Sequence, residues 1–230
     1  MNLEDSLNAV RKEYLSRMTR GDGRLLREVE EFVTSRPGKM LRPQLTLLAA
    51  DTLGQASSRR TILLATAVEM LHNASLLHDD IIDHSDTRRG QASVNARWSN
   101  SVAVLVGDFL LAQVMRILHE INEPDTTQRV YRTVEAMVEA ELLQQEVKNT
   151  SDLLPQTSYL KIIDGKTAQL FATACALGNP LYEDFGLHYG RLFQLEDDIS
   201  DGEATPYTEE LILQEKNILS AIKPRLPILS

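Results

Sequence analysis

The chain has 230 residues, 43% hydrophobic and 25% charged, long enough for a substantial buried core. Its net charge of −9, with nothing resembling a basic stripe, argues against nucleic acid as the main partner, and an anionic substrate would need neutralising by metals or a few placed cations. The single cysteine, Cys175, excludes an internal disulfide and a multi-cysteine zinc cluster.

The first segment, MNLEDSLNAVRKEY, is charged and amphipathic and lacks the apolar core of a secretory signal. No apolar run reaches the ~18 residues of a membrane span, so the expected location is the cytoplasm, with no integral membrane segment. Between residues 60 and 83 the apolar positions Ile62, Leu63, Val68, Leu71, Leu76, Leu77 and Ile81 follow helical steps. The run SVAVLV at 101–106 has strand propensity, but it continues into GDFLLAQVMRILHEI and reads as one buried helix. Val130, Val134, Met137, Val138, Leu142 and Val147 predict a helix over 128–148. Two more are predicted from Tyr159 to Leu177 and from about Phe185 to Ile199, and TEELILQEKNILSAI has the spacing of a last one. Breaks fall at Arg36–Gly38, Gly54–Ser58, His84–Gly90, Asn122–Asp125 and Gly178–Pro180. With no repeat or linker, a single all-α domain is expected. Cys175, within LFATACALG, reads as an inert core thiol.

The strongest chemical signal is His78-Asp79-Asp80-Ile81-Ile82-Asp83. On a helix Asp79 and Asp83 are i,i+4 neighbours, and Asp80 and Asp83 are i,i+3 neighbours. Two unit charges ~5 Å apart repel by roughly 3 kcal/mol at an effective dielectric of ~20, so the carboxylates call for cations. Hard oxygen donors favour Mg²⁺. Glu196-Asp197-Asp198-Ile199-Ser200-Asp201 repeats the DDxxD spacing at the end of another apolar helix. Metals held between two such clusters, facing each other across the mouth of a cavity, would grip a diphosphate. Lys39 and Arg42, in GKMLRP, and Arg88-Arg89-Gly90 add cations suited to phosphate oxygens. Together the charges outline a site for two anionic substrates.

With these pieces assembled, the chain resembles the trans-type polyprenyl (isoprenyl) diphosphate synthases. The resemblance rests on GKMLRP at 38–43, HNASLLHDDIIDHSDTRRG at 72–90 with Asn95, VGDFLLAQ at 106–113, GKTAQLFATACALG at 165–178 and GRLFQLEDDISD at 190–201. These segments span most of the chain from about residue 35 to 201, in the family's order. The resemblance implies antiparallel helices around a deep central cavity, usually in a homodimer. It implies that Asp79, Asp80, Asp83, Asp197 and Asp198 ligate, directly or through water, the Mg²⁺ ions that hold an allylic diphosphate, with Asp201 completing the second motif. It places Arg88, Lys166 and Thr167 on that diphosphate and Gln194 near it. Lys39, Arg42, His72 and Arg89 would bind isopentenyl diphosphate. The implied reaction lengthens the allylic diphosphate by isopentenyl units.

Ala74 and Ser75 lie ~6–7.5 Å along the helix from Asp79, where bulky residues stop chain growth in this family. Both are small, which predicts a product longer than farnesyl diphosphate, with a floor at residues such as Leu71 or Met115. After Asp201 the family pattern continues with a lysine-bearing loop and further helices, whereas here only GEATPYTEELILQEKNILSAIKPRLPILS follows. The expectation is thus one synthase domain over 1–230, shortened after about residue 201. Rival readings are a non-catalytic or regulatory subunit of a heteromeric synthase and a class I terpene cyclase, which has no use for the second set of cations. A phosphohydrolase reading of His78-Asp79 fails on spacing, since His72 and His78 are six residues apart. His119 and His188, with no acidic constellation around them, read as structural or surface residues.

Overall fold

The computed structural model describes residues 2–19, 23–35, 38–88, 90–148, 154–223 and 226. It is 81% helical, which bears out the all-α expectation. The described residues form two compact units: 1–47 with 56–123, and 48–55 with 124–230.

The first unit contains α1 (Leu3–Met18), α2 (Arg24–Thr34), the start of α3 (Leu41–Asp51), α4 (Arg59–Ile82), α5 (Val94–Arg97) and α6 (Asn100–Ile121). Side-chain caps open its long helices: Ser58 Oγ accepts from Thr61 N–H at 3.1 Å, and Ser99 Oγ from Val102 N–H at 3.2 Å. The stretch 101–106 lies within α6, as its continuation into an apolar helix requires. A β-carbon on Gly107 would sit 2.3 Å from His78 Nε2, so this glycine lets α6 pack closely on α4. Buried Arg17 bonds Glu13 Oε1 one turn earlier on α1 (2.7 Å) and ties α1 to α6 through Glu120 Oε2 (2.5 Å), and Arg59 of α4 bonds the same two glutamates.

The expectation that no apolar run reaches the length of a membrane span is corrected at α6. By length and composition α6 is apolar enough to cross a membrane, with a mean hydropathy of 1.8 over its most apolar window. Its inward positions Ala103, Val106, Leu110, Val114, Ile117 and Leu118 are buried inside the unit, which accounts for part of that apolar character.

The 84–90 break holds a small feature not expected from the sequence, the antiparallel pair β1 (Thr87–Arg88) and β2 (Gln91–Ala92). The second unit contains α7 (Pro124–Lys148), α8 (Gln156–Ile163), α9 (Gln169–Gly178), α10 (Glu183–Asp201) and α11 (Thr208–Ala221). The helix expected from Tyr159 to Leu177 is split by a π-turn, Asp164–Ala168. Around α9 and α10, Phe185 stacks on Tyr189 (5.9 Å) and Phe171 meets Phe193 (5.3 Å). Cys175 is fully buried there and its thiol is held well above its usual pKa by burial, as an inert core residue should be.

Candidate active site

In the first unit α4 carries the first acidic segment to its C-terminal end. Asp79 and Asp80 are helical, while Asp83 is the cap, its N–H donating to Asp79 O at 2.8 Å. Asp79 is half-buried and Asp83 exposed, but Asp80 is only 3% exposed. Asp80 Oδ1 accepts from Arg88 Nε (2.9 Å) and Arg88 Nη2, a pairing that compensates the cost of burying a carboxylate. Asn95 Nδ2 donates to Ser85 O (3.2 Å) and Asp80 O (3.4 Å), fastening the turn after α4. A cavity of about 50 Å³ lies beside the pair, walled in part by Phe32, Leu76, Leu77 and Val94.

The cationic segment precedes α3. Met40 adopts a left-handed backbone (φ 50°) and buries its side chain, leaving Lys39 exposed. Arg42, in the first turn of α3, donates from Nη1 to His72 Nε2 at 3.2 Å. A guanidinium can only donate, so this ring nitrogen is the acceptor and Nδ1 carries the proton. Arg89 lies outside the described residues. Ala74 is buried and Ser75 half-buried, with Ser75 Oγ donating to His72 O at 2.9 Å. Of the two floor residues expected beyond them, Leu71 is buried but Met115 is 60% exposed. Met115 occupies the face of α6 turned away from the unit's core and forms no wall within it.

In the second unit the π-turn presents Lys166 and Thr167. Lys166 Nζ lies 2.6 Å from Glu141 Oε2 and donates to Gln144 Oε1 at 2.7 Å, both on α7. Arg191 clamps Asp164, which opens the turn, through Nε (2.5 Å) and Nη2 (2.8 Å). Buried Glu215 of α11 lies 3.5 Å from Arg191 Nη1 and 2.6 Å from His188 Nδ1, so His188 has an acidic partner that the sequence did not reveal and links α10 to α11. Thr167 Oγ1 donates to Gln194 Oε1 (2.6 Å), and Gln194 Nε2 donates to Asp198 Oδ1 (2.7 Å). Asp198 is buried, while Asp197 and Asp201 are exposed. The helix stops at Gly202, whose left-handed φ of 76° suits a residue without a β-carbon.

The two acidic segments share one design within their own units. The first and last aspartates reach towards solvent, and the middle one is buried and held by protein donors. Among the described residues no three acidic, histidine or cysteine side chains converge into a ready-made metal site. The donors nonetheless fit Mg²⁺, which takes one or two carboxylates and completes its shell with water and substrate phosphate oxygens.

Residues 23–215 match the sequence profile of the polyprenyl synthetase family. The chain belongs to that family. It is 36% identical over 218 residues to an all-trans-nonaprenyl-diphosphate synthase of Rhodobacter capsulatus, a match covering 90% of this chain and 65% of that protein. It is also 36% identical over 209 residues to heptaprenyl diphosphate synthase component 2 of Geobacillus stearothermophilus, covering 86% and 64%. Among solved structures it resembles a polyprenyl synthase from Caulobacter crescentus, complexed with calcium and isoprenyl diphosphate. The TM-score is 0.78 at 36% identity, covering 85% of this chain and 62% of that one. The chain thus spans about two thirds of the length of these polyprenyl synthases.

Sequence reasoning missed Tyr159. Its hydroxyl donates to Asp198 Oδ2 from 39 residues away, and nothing in the apolar run YLKII marks it as more than a core residue.

Proposed function

We propose that this polyprenyl synthetase is a Mg²⁺-dependent prenyltransferase that condenses isopentenyl diphosphate with an allylic diphosphate. The observation that carries this reading is the paired DDxxD design, in which a buried middle aspartate stands between flanking aspartates that are exposed or, for Asp79, half-buried. In this reading Asp79, Asp83, Asp197 and Asp201 hold Mg²⁺ with the allylic diphosphate, and Asp80 and Asp198 act from behind them or through water. Arg88, Lys166 and Thr167 bind the same diphosphate, with Gln194 beside it. Lys39, Arg42, His72 and Arg89 bind the diphosphate of isopentenyl diphosphate. Bound Mg²⁺ supplies Lewis-acid neutralisation of the departing diphosphate. Lys166 leaves Glu141, and Arg88 turns part of its fork from Asp80, to add their charge as the allylic bond breaks. Apolar side chains keep water from the cation, the isopentenyl double bond attacks it, and the released proton passes to the departing diphosphate.

The small residues Ala74 and Ser75 support a product longer than farnesyl, in keeping with the long-chain names of the relatives. Residues 1–230 act in this reading as one synthase domain around a central cavity. A homodimer fits the apolar residues that α6 exposes, Leu105 and Met115 among them. The charged, water-borne substrates favour a cytoplasmic location.

The test is to incubate the purified chain with Mg²⁺, radiolabelled isopentenyl diphosphate and farnesyl diphosphate, and to chromatograph the dephosphorylated products. Lengthened product that disappears with EDTA supports the reading; no product, alone or with any partner, sinks it. The name "component 2" carried by one relative supports a second reading, one subunit of a two-component synthase. Product that forms only after a partner chain is added would select it.

A further inference from the structure

Asp198 has no idle oxygen. Oδ1 accepts from Gln194 Nε2 and Oδ2 from the Tyr159 hydroxyl, and the residue is 7% exposed. A buried carboxylate with both oxygens already held by charge-assisted hydrogen bonds is well placed to act as a strut. Asp198 fixes the last turn of α10, from which Asp197 and Asp201 project into solvent.

The Tyr159 hydroxyl also meets α11. Thr208, the first residue of that helix, brings its Oγ1 to 3.5 Å from the hydroxyl. Thr208 Oγ1 is itself seated by the Thr205 N–H (2.9 Å) and lies 3.0 Å from Thr205 Oγ1. The ring of Tyr159 packs in one cluster with Ile163, Leu195 and Leu211, so α8, α10 and α11 meet around it. It is the hydroxyl that hydrogen-bonds the acidic segment.

We propose that Tyr159 is a positioning residue for the diphosphate-binding end of α10: it locks Asp198 from one side while Gln194 locks it from the other. Through Thr208 it makes α11 part of the frame of the site. The proposal rests on the reading of Asp197 and Asp201 as ligands of diphosphate-bound Mg²⁺.

The experiment is calorimetric binding of inorganic diphosphate to the full chain at a series of Mg²⁺ concentrations, with melting temperatures recorded alongside. Tyr159→Phe keeps the ring and removes the hydroxyl. It should raise the Mg²⁺ concentration for half-maximal binding about tenfold, the scale on which groups behind a ligand act. Thr208→Val should shift it the same way by less, and Thr208→Ser should restore it. Asp197→Asn tests the underlying reading and should abolish the Mg²⁺-dependent part. If Asp197→Asn weakens binding and Tyr159→Phe keeps the wild-type midpoint, the proposal is overturned and the reading stands. If Asp197→Asn changes nothing, the reading itself fails. Should Tyr159→Phe melt below the assay temperature, Thr208→Val decides, and an unchanged midpoint there overturns the proposal.

Discussion

Asp79 and Asp80 are the same residue type in adjacent positions, but a helix turns successive side chains by about 100°. That rotation sends Asp80 beneath Arg88 and leaves Asp79 half-exposed. Sequence spacing identified both carboxylates, because DDxxD demands cations wherever it sits. It did not separate the one that faces solvent from the one that braces, since burial depends on Arg88 folding back over the helix end. Ala74 is legible in a simpler way: it is small and buried one turn before His78 on the same helix. Replacing it with Phe should shorten the product by at least one isoprene unit, read by chromatography of the dephosphorylated products.

At the scale of elements, helices were legible from apolar periodicity, and the structure adds the side-chain caps that open two of them, Ser58 to Thr61 and Ser99 to Val102. The π-turn was not, because DGKTA carries no periodic signal and the turn depends on the Arg191–Asp164 clamp from α10. The packing of α10 on α9 makes a firm prediction. A β-carbon on Gly186 would lie 2.6 Å from Phe171 O and 2.8 Å from Ala172 Cα, backbone atoms that cannot swing aside. Gly186→Ala should cost roughly 1–3 kcal/mol, the usual scale of overpacking, visible as a lower melting temperature.

The tether of α1 is electrostatic and should depend on pH. The Arg17 hydrogen bond, aided by Arg59, holds Glu120 below its ordinary pKa of 4.5 despite partial burial. For Glu13 burial pushes upward, and the bonds from Arg59 and Arg17 together outweigh it. Groups whose folded pKa is depressed stabilise the fold above their unfolded value. This contribution is therefore complete above about pH 4.5 and is lost as pH falls through the lower folded values. Melting curves between pH 6 and pH 3 should show the loss, and Glu120→Gln should flatten it.

For the whole molecule, family membership was visible in five motifs that follow one another in the family's order along most of the chain. The outward face of α6 was less legible, since its exposed and buried positions are equally apolar in the sequence. Leu105 is 68% exposed on that face. If the face joins two copies, Leu105→Glu should convert a dimer to a monomer in sedimentation equilibrium with little change in helix content.

The π-turn also sets a rule about length rather than composition. A wide turn holds one residue more than the helix it interrupts, so α8 and α9 run in registers offset by about 100°. On the α8 side Tyr159 faces Asp198; on the α9 side Phe171 faces Tyr189. Excising a single residue between Asp164 and Ala168 would restore an unbroken helix and make those two alignments mutually exclusive. The length of this stretch is therefore as much a requirement of the fold as the residues in it.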